Sequence, residues 1–435
     1  MEKQNFRLKV QKASGAIQSN KYIGSISNGL MLTMTVTIIG SIFTLLDSIN
    51  IPAYQSFLTS TGLKQIIGLP ATVTVGLISL YAVATISYSL AQKYGKDGLT
   101  AALLSIMSFL LLTPMAPMAD KSTGIGTRWL GSPGFFVAMI VALSVARLYV
   151  LIVDKKIYIK MPKGVPPTVE KAFASIVPGL IITAIVLLVR GAFGATTYGN
   201  IHSFIYAFLQ VPLTKLGGSW WAFIITTIAG SILWGFGIHG TMLVYSVMAP
   251  IWSTLRLDNL AAYQAGAELP HLAPGGVFQA TYITIGGSGA TIGLAIALVF
   301  AASKRYKTLG KLAILPSLLG INEPIMFGFP VVLNPRLLLP LILVPLTNVS
   351  LALSLTALGI LPRLRGIGSP LGTPVLVNGF IEGGWRIPAF QLLLIGISFA
   401  IYYPFFKKLD NEALAEEKRL ESEEASNNLV QMAEN

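Results

Sequence analysis

The chain has 435 residues, of which 53% are hydrophobic and only 11% charged, and its formal net charge is +13. Several apolar runs exceed 18 residues, close to the ~20 that a helix needs to cross the hydrocarbon core of a bilayer. The composition predicts an all-α polytopic membrane protein in contact with the lipid bilayer. It excludes a porin-like barrel, whose strands would alternate polar and apolar residues.

The charge distribution argues against nucleic-acid binding. The tail from Lys407 to Asn435 holds eight acids and four bases, so the body before it holds ten acids and twenty-seven bases. Much of that basic excess falls in short loops, as expected for cytoplasmic loops of membrane proteins. The chain has no cysteine and three dispersed histidines, so we expect no disulfide, no metal site and no bound cofactor.

The first part of the chain predicts a simple bundle. Residues 1–26 are basic and are expected to lie in the cytoplasm. Lysines follow the second and the fourth span, which places both of those loops on the cytoplasmic side. We predict five membrane spans here, at 27–49, 70–91, 98–118, 133–153 and 172–190.

The second part predicts broken helices. Residues 199–217 are amphipathic and are expected to lie flat at the outer surface. Lys311 and Arg336 bracket an apolar stretch, so 312–335 is interpreted as a re-entrant hairpin that starts and ends on the cytoplasmic side. Further apolar stretches lie at 220–252, interrupted at 234–240, and at 278–302, followed by spans at 337–361 and 388–406, with a Gly- and Pro-rich segment at 366–386.

These patterns divide the chain into four parts. A cytoplasmic segment (1–26) precedes an N-terminal transmembrane bundle (27–198), a more broken transmembrane half (199–406) and an acidic, mostly helical cytoplasmic tail (407–435). Irregular backbone at membrane depth persists only where protein or a water-filled cavity satisfies it. We therefore predict a substrate cavity in the broken half, with both termini cytoplasmic.

Glu323 is the most informative residue of that half. It is the only carboxylate between Glu268 and Glu382, and a charge at membrane depth costs about 2.5–3.5 kcal/mol even on lenient scales. Helix-breaking glycines and prolines surround it in the run 320–330. The alternative to a binding site is a pairing with Lys311 or Arg336 that only locks two helices.

Other candidate site residues cluster at the breaks. His239, which can carry a proton and bond a hydroxyl, lies among glycines, although a lone histidine is often a packed core residue. Asn322 offers a donor and an acceptor for sugar hydroxyls. The run Gly286, Gly287, Ser288 and Gly289 permits close backbone approach to a ligand or simple helix packing. Trp234 and Trp385 are candidates for stacking on a sugar ring, against the alternative of interface anchoring.

Three motifs carry a resemblance to a known family. They are WGFGIHG (Trp234–Gly240), TIGGSGATIGLA (Thr284–Ala295) and GINEPIMFGFPVVLNP (Gly320–Pro335). Together they resemble enzyme IIC, the membrane subunit of bacterial phosphoenolpyruvate-dependent sugar phosphotransferase systems. The resemblance covers nearly the whole chain and favours the lactose, cellobiose and diacetylchitobiose family.

The resemblance implies a fold, a site and partners. It implies ten transmembrane helices, two re-entrant hairpins and a homodimer through the N-terminal half, in the bacterial plasma membrane. Glu323 and His239 would handle the C6 hydroxyl of a β-linked disaccharide. The phosphoryl group would come from a phosphorylated enzyme IIB subunit. Two other functions stay open from the residues alone: a proton-coupled secondary sugar transporter that uses Glu323, and a sugar sensor that transports nothing.

Overall fold

The computed structural model describes residues 19–47, 52–117, 123–162, 164–329, 331–332, 334–370 and 372–434. Most of the predicted basic segment 1–26 lies outside this part of the chain. Within it the fold is all-α, except for a hairpin in which β1 (Met115–Pro117) pairs antiparallel with β2 (Thr123–Ile125). The all-α part of the predicted fold class is therefore confirmed, while the ten membrane helices and the two re-entrant hairpins stay predictions.

The first part of the chain forms a bundle of seven described helices. A 3₁₀ turn at Val75–Leu77 joins the third helix to the fourth, and the β hairpin lies between the fifth and the sixth. The helices are α1 (Lys21–Asp47), α2 (Pro52–Ser60), α3 (Leu63–Thr74), α4 (Ile78–Lys93), α5 (Gly98–Leu112), α6 (Phe135–Asp154) and α7 (Pro167–Gly194).

The second part contains more and shorter helices. π-helical turns at 206–210 and 279–283 interrupt two of its segments. The helices are α8 (Ile201–Ile205), α9 (Val211–Gly217), α10 (Trp220–Gly235), α11 (Gly240–Gln264), α12 (Gly275–Phe278), α13 (Ile292–Val299), α14 (Lys304–Leu318), α15 (Glu323–Gly328), α16 (Pro335–Ala357), α17 (Val375–Gly383) and α18 (Arg386–Glu434).

Six stretches of the described chain are helical, long and apolar enough to cross a membrane. A seventh joins the bent segments Ile201–Gly217 and Trp220–Gly235, which meet at 65°. α5 is shorter than the predicted span 98–118 because Pro114 disfavours a helical conformation at Thr113, which is extended. The six are Lys21–Gly40, Leu63–Lys93, Ser132–Asp154, Val169–Gly194, Pro335–Ala357 and Arg386–Glu423.

Three apolar clusters form the core. The largest is built mainly by α4, α5 and α6 in the first half. A second cluster packs α13, α14, α15 and α16 against α18. The third surrounds Trp252 and Phe278. Because the second cluster includes Ile325 and Met326, the short helix α15, which begins at Glu323, is anchored by its apolar side.

Close packing between α13 and α18 makes a testable prediction. A Cβ added at Gly293 would lie 2.1 Å from the backbone nitrogen of Phe399 on α18. We expect Gly293→Ala to destabilise the protein by about 1–3 kcal/mol, the usual cost of overpacking. Gly396→Ala is the matched control, because the space around Gly396 on α18 is open. Thermal unfolding of the two purified variants checks the prediction, and equal midpoints would contradict it.

Candidate functional site

The break between α10 and α11 holds His239 in a defined orientation. α10 ends at Gly235, and Gly237 has a left-handed φ of +79° that turns the chain. His239 is the N-cap of α11, and its Nδ1 accepts a hydrogen bond of 3.3 Å from the backbone N–H of Met242. Since Nδ1 acts as the acceptor, the proton of the neutral imidazole lies on Nε2.

The turn between α14 and α15 places Glu323. α14 ends at Leu318, Gly320 has a φ of +79°, and α15 begins at Glu323 with Pro324 behind it. Proline suits the first helical turn because the amides there have no intrahelical partner. The sequence prediction of broken backbone around 322–324 is thus matched by a helix–turn–helix.

Glu323 and His239 face one another across these two breaks. Oε1 of Glu323 lies 3.9 Å from Nε2 of His239, and the two side chains are 52% and 36% exposed. Both groups are therefore accessible. Arg336, one of the two bases considered as a locking partner for Glu323, makes 2.9 Å contacts with both carboxylate oxygens of Glu412 instead.

Two aromatic side chains, Trp234 and Phe327, lie beside the pair. The ring of Trp234 lies 4.5 Å from that of His239 and 6.4 Å from that of Phe327. Trp234 is buried, and its Nε1 has no hydrogen-bond partner among the described residues. An unpaired buried donor is costly, which makes this N–H a candidate partner for a ligand.

Asn322 connects the α14–α15 turn to the glycine loop 286–289. Its Nδ2 donates to the carbonyl of Ser288 at 2.7 Å and to Oγ1 of Thr291 at 2.8 Å. Asn322 is buried, so both amide protons are used inside the protein. A Cβ at Gly287 would lie 2.4 Å from Cγ of Asn322, which gives a physical reason for glycine at this position.

The glycine loop packs tightly on protein. Gly286, Gly287 and Gly289 have left-handed φ values of +74°, +100° and +79°. Cβ atoms there would meet Ile292, Asn322 and Leu341 within 2.4 Å. Gly289 nevertheless lines a narrow cavity with Trp234. Apolar groups line the rest of the cavity beside polar side chains from Thr226, Thr227, Ser231, Thr241, Gln279 and Thr284.

Trp385, the remaining sequence candidate, and the two other histidines lie elsewhere. Trp385 is 71% exposed, directly before α18, and its recorded ring contact is with the guanidinium of Arg386 at 6.0 Å. His202 is buried and lies 3.2 Å from Oγ1 of Thr113. His271 pairs with Asp258 at 2.9 Å. In the described part of the chain, no three His, Asp or Glu side chains come together as a metal site would require.

Glu382 has a structural role that was not predicted from the sequence. Glu382 is fully buried, and its carboxylate accepts N–H bonds from Gly366 at 3.0 Å and Gly368 at 2.6 Å. Arg256 donates to the carbonyls of Gly366 and Ile367. Glu382 therefore holds the irregular segment before α17. Its position in a Gly- and Pro-rich region was the available signal.

Broken helices bring an acid and a histidine together within a bundle of membrane-length helices. This construction is typical of membrane transport proteins. The chain belongs to the phosphotransferase system EIIC family, whose model matches residues 27–345. The family resemblance in the sequence is thereby confirmed.

Two relatives and one solved structure are similar to this chain along almost their whole length. The lichenan permease IIC component of Bacillus subtilis is 37% identical and aligns over 95% of this chain and 94% of its own. The cellobiose-specific EIIC component of Geobacillus stearothermophilus is 36% identical over 94% of each chain. The crystal structure of ChbC, the IIC component of an N,N'-diacetylchitobiose-specific system, superposes with a TM-score of 0.87 at 37% identity, covering 94% of this chain and 98% of ChbC.

Proposed function

We propose that this protein takes up a β-linked disaccharide of the diacetylchitobiose or cellobiose type and presents its C6 hydroxyl for phosphorylation by a phosphorylated IIB subunit. The approach of Glu323 to His239, at 3.9 Å across two helix breaks, carries the proposal. The names of the relatives, which mention lichenan, cellobiose and diacetylchitobiose, support the class of sugar.

The geometry suits a hydroxyl held by both side chains. A separation of 3.9 Å is longer than a hydrogen bond of about 2.7–3.2 Å, so a hydroxyl oxygen beside the pair can contact both without displacing either. The carboxylate of Glu323 accepts the hydroxyl proton, and Nε2–H of His239 donates to the oxygen. Glu323 can then take up the proton as the oxygen becomes a nucleophile, while His239 keeps the oxygen in place.

The phosphoryl donor is proposed to lie on a IIB subunit. The 435 residues contain no cysteine, so they do not carry the phosphocysteine that the family resemblance implies. In the proposed step the C6 oxygen forms a bond to phosphorus, and the sulfur–phosphorus bond breaks. The cysteine leaves as the thiolate with the bonding electrons, and the hydroxyl proton passes to Glu323. Positioning of the two reactants supplies most of the acceleration in such transfers.

The finer architecture belongs to the same proposal. For such a subunit in the bacterial plasma membrane, we expect ten spans with two re-entrant hairpins and cytoplasmic termini. We also expect a homodimer formed by residues 27–198 and sugar binding within 199–406. Basic loops at 93–96, 155–163 and 304–311 support the orientation, because positive charge accumulates on the cytoplasmic side. Asn322, the glycine loop and Trp234 remain the proposed substrate contacts beside the pair, and Trp385 remains a proposed contact on the sequence prediction alone.

Vesicle transport tests the proposal against the proton-coupled alternative. The protein is reconstituted in vesicles loaded with phosphorylated IIB, and labelled cellobiose, diacetylchitobiose and lactose are added outside. We expect phosphorylated sugar inside only when the phosphoryl donor is present, with no effect of an uncoupler. Accumulation of unmodified sugar that collapses with uncoupler would overturn the proposal in favour of a secondary transporter, and binding without uptake would indicate a sensor.

A further inference from the structure

We propose that Asp410 and Glu417, on the extension of α18, are positioning residues that hold α14 and thereby set the place of Glu323. The inference rests on the proposed role of Glu323 in sugar phosphorylation. It concerns how Glu323 is positioned by two acids that are distant from it in sequence.

Asp410 binds the chain just before α14. Its Oδ2 accepts the N–H of Ala302 at 2.9 Å, and its Oδ1 accepts the N–H and the hydroxyl of Ser303 at 3.0 and 2.9 Å. Asp410 is fully buried, and Nζ of Lys407 lies 3.5 Å from its carboxylate. An unpaired buried carboxylate would be strongly disfavoured, so these donors stabilise Asp410 in its buried position.

Glu417 continues the contact two helical turns further along α18. Its two oxygens accept the N–H groups of Lys304 and Arg305, each at 2.9 Å. Glu421 then binds Nζ of Lys304 at 2.7 Å, which raises the pKa of that lysine above its usual range. Two acids from one helix therefore hold four consecutive amides, 302–305, of another segment more than 100 residues away.

α14 depends on these acids for its N-terminal cap. The first amides of a helix have no intrahelical acceptor, and a side chain at the N-cap usually supplies one. Ser303, the N-cap of α14, makes no side-chain capping bond. The carboxylates also lie at the positive end of the helix dipole, where negative charge is favourable.

The same helix holds the glycine loop, which contacts Asn322, the residue before Glu323. Oη of Tyr402 donates to the carbonyl of Gly289 at 2.7 Å, and Oγ of Ser398 donates to that of Ala290 at 2.6 Å. The glycine loop is in turn bonded to Asn322 through Ser288. α18 thus fixes the glycine loop with its membrane part and the start of α14 with its extension.

α14 transmits the position of its capped end to the site. Its 15 residues span about 22 Å at 1.5 Å per residue, so a tilt of about 5° at the cap moves the far end by about 2 Å. Glu323 follows that end after a four-residue turn. Misplacement of a reacting group by about 1 Å can cost about 100-fold in rate.

The test uses the cysteine-free chain, in which Ile321→Cys supplies a single label site next to Glu323. Ile321 is 48% exposed. In this background we compare Asp410→Asn and Glu417→Gln, with Glu416→Gln as the matched control, because Glu416 is exposed. We measure sugar phosphorylation, the sugar Kd and the rate of maleimide labelling at position 321.

Loss of the cap should lower kcat by about 10- to 100-fold, with a much smaller change in sugar Kd, and should change the labelling rate. Glu416→Gln should change none of these. Unaltered kcat and labelling in both Asp410→Asn and Glu417→Gln would overturn the inference. If Asp410→Asn does not fold, Glu417→Gln at the helix surface decides alone. A further outcome is a labelling rate that changes in Asp410→Asn and Glu417→Gln while the separate Glu323→Gln variant still phosphorylates sugar. That result would support the positioning role of Asp410 and Glu417 and overturn the proposed function.

Discussion

Replacing Glu323 with Gln lowers the rate of sugar phosphorylation by about 100- to 10,000-fold, the range that one general acid–base group contributes. Glutamine has almost the same size but cannot take a proton from the C6 hydroxyl. It also presents an amide donor in place of one carboxylate oxygen facing Nε2 of His239, so we expect weaker sugar binding. Initial rates with purified phosphorylated IIB, together with the sugar Kd, measure both effects.

Glu268→Gln is the matched control for this change. Glu268 is 87% exposed and lies 3.4 Å from Arg363 in a surface ion pair, which contributes little to stability. We expect wild-type rates in this variant. Wild-type phosphorylation by a folded Glu323→Gln protein would contradict the assignment of Glu323 to the reaction.

Replacing His239 with Asn separates its chemical role from its capping role. Asn is among the best N-cap residues, so α11 should still begin at Gly240 and the protein should unfold at nearly the same temperature. The imidazole that faces Glu323 is lost, and we expect phosphorylation to fall by about 100-fold or more. His239→Leu should show the same loss of phosphorylation. It should also unfold at a lower temperature, because the N–H of Met242 loses its acceptor.

His271→Asn controls for the loss of a histidine elsewhere in the same half. His271 pairs with Asp258 at 2.9 Å and has no proposed part in the reaction, so phosphorylation should stay near the wild-type rate. A His239→Asn protein that phosphorylates sugar as fast as wild type would assign His239 to capping alone.

Local sequence signals predicted the breaks in the helices well. The glycines between Trp234 and Gly240 coincide with the end of α10 and the start of α11. Gly320 and Pro324 flank the turn before α15. Such signals are readable because a left-handed φ and a missing N–H are properties of single residues.

The partners of the site residues were far less predictable. Asn322 was expected to face the substrate, and its amide protons bind Ser288 and Thr291. The proposal that it contacts sugar now depends on its carbonyl oxygen. Trp385 was grouped with Trp234 because both lie near breaks, yet Trp234 is buried and Trp385 is 71% exposed. Proximity to a glycine does not reveal which side chains share a cavity.

The tail shows the same limit. The sequence predicted an acidic, mostly helical extension after the last span, and α18 is indeed helical to Glu434. Composition did not reveal that Asp410 and Glu417 would bind the start of α14 while Glu416 is exposed. Which acids make this contact depends on which side of α18 packs against α14. A helix whose acids are all exposed to solvent would have the same sequence pattern.

The sequence by itself determined that this is a polytopic membrane protein, where its helices break, and which acid is costly enough to need a function. Hydrophobicity and backbone conformation are local properties, so they can be read along the chain. Only the tertiary structure decided that Glu323 and His239, 84 positions apart, lie within 3.9 Å, and that α18 holds both segments beside them. Contacts of that kind depend on how distant helices pack, which no local periodicity specifies.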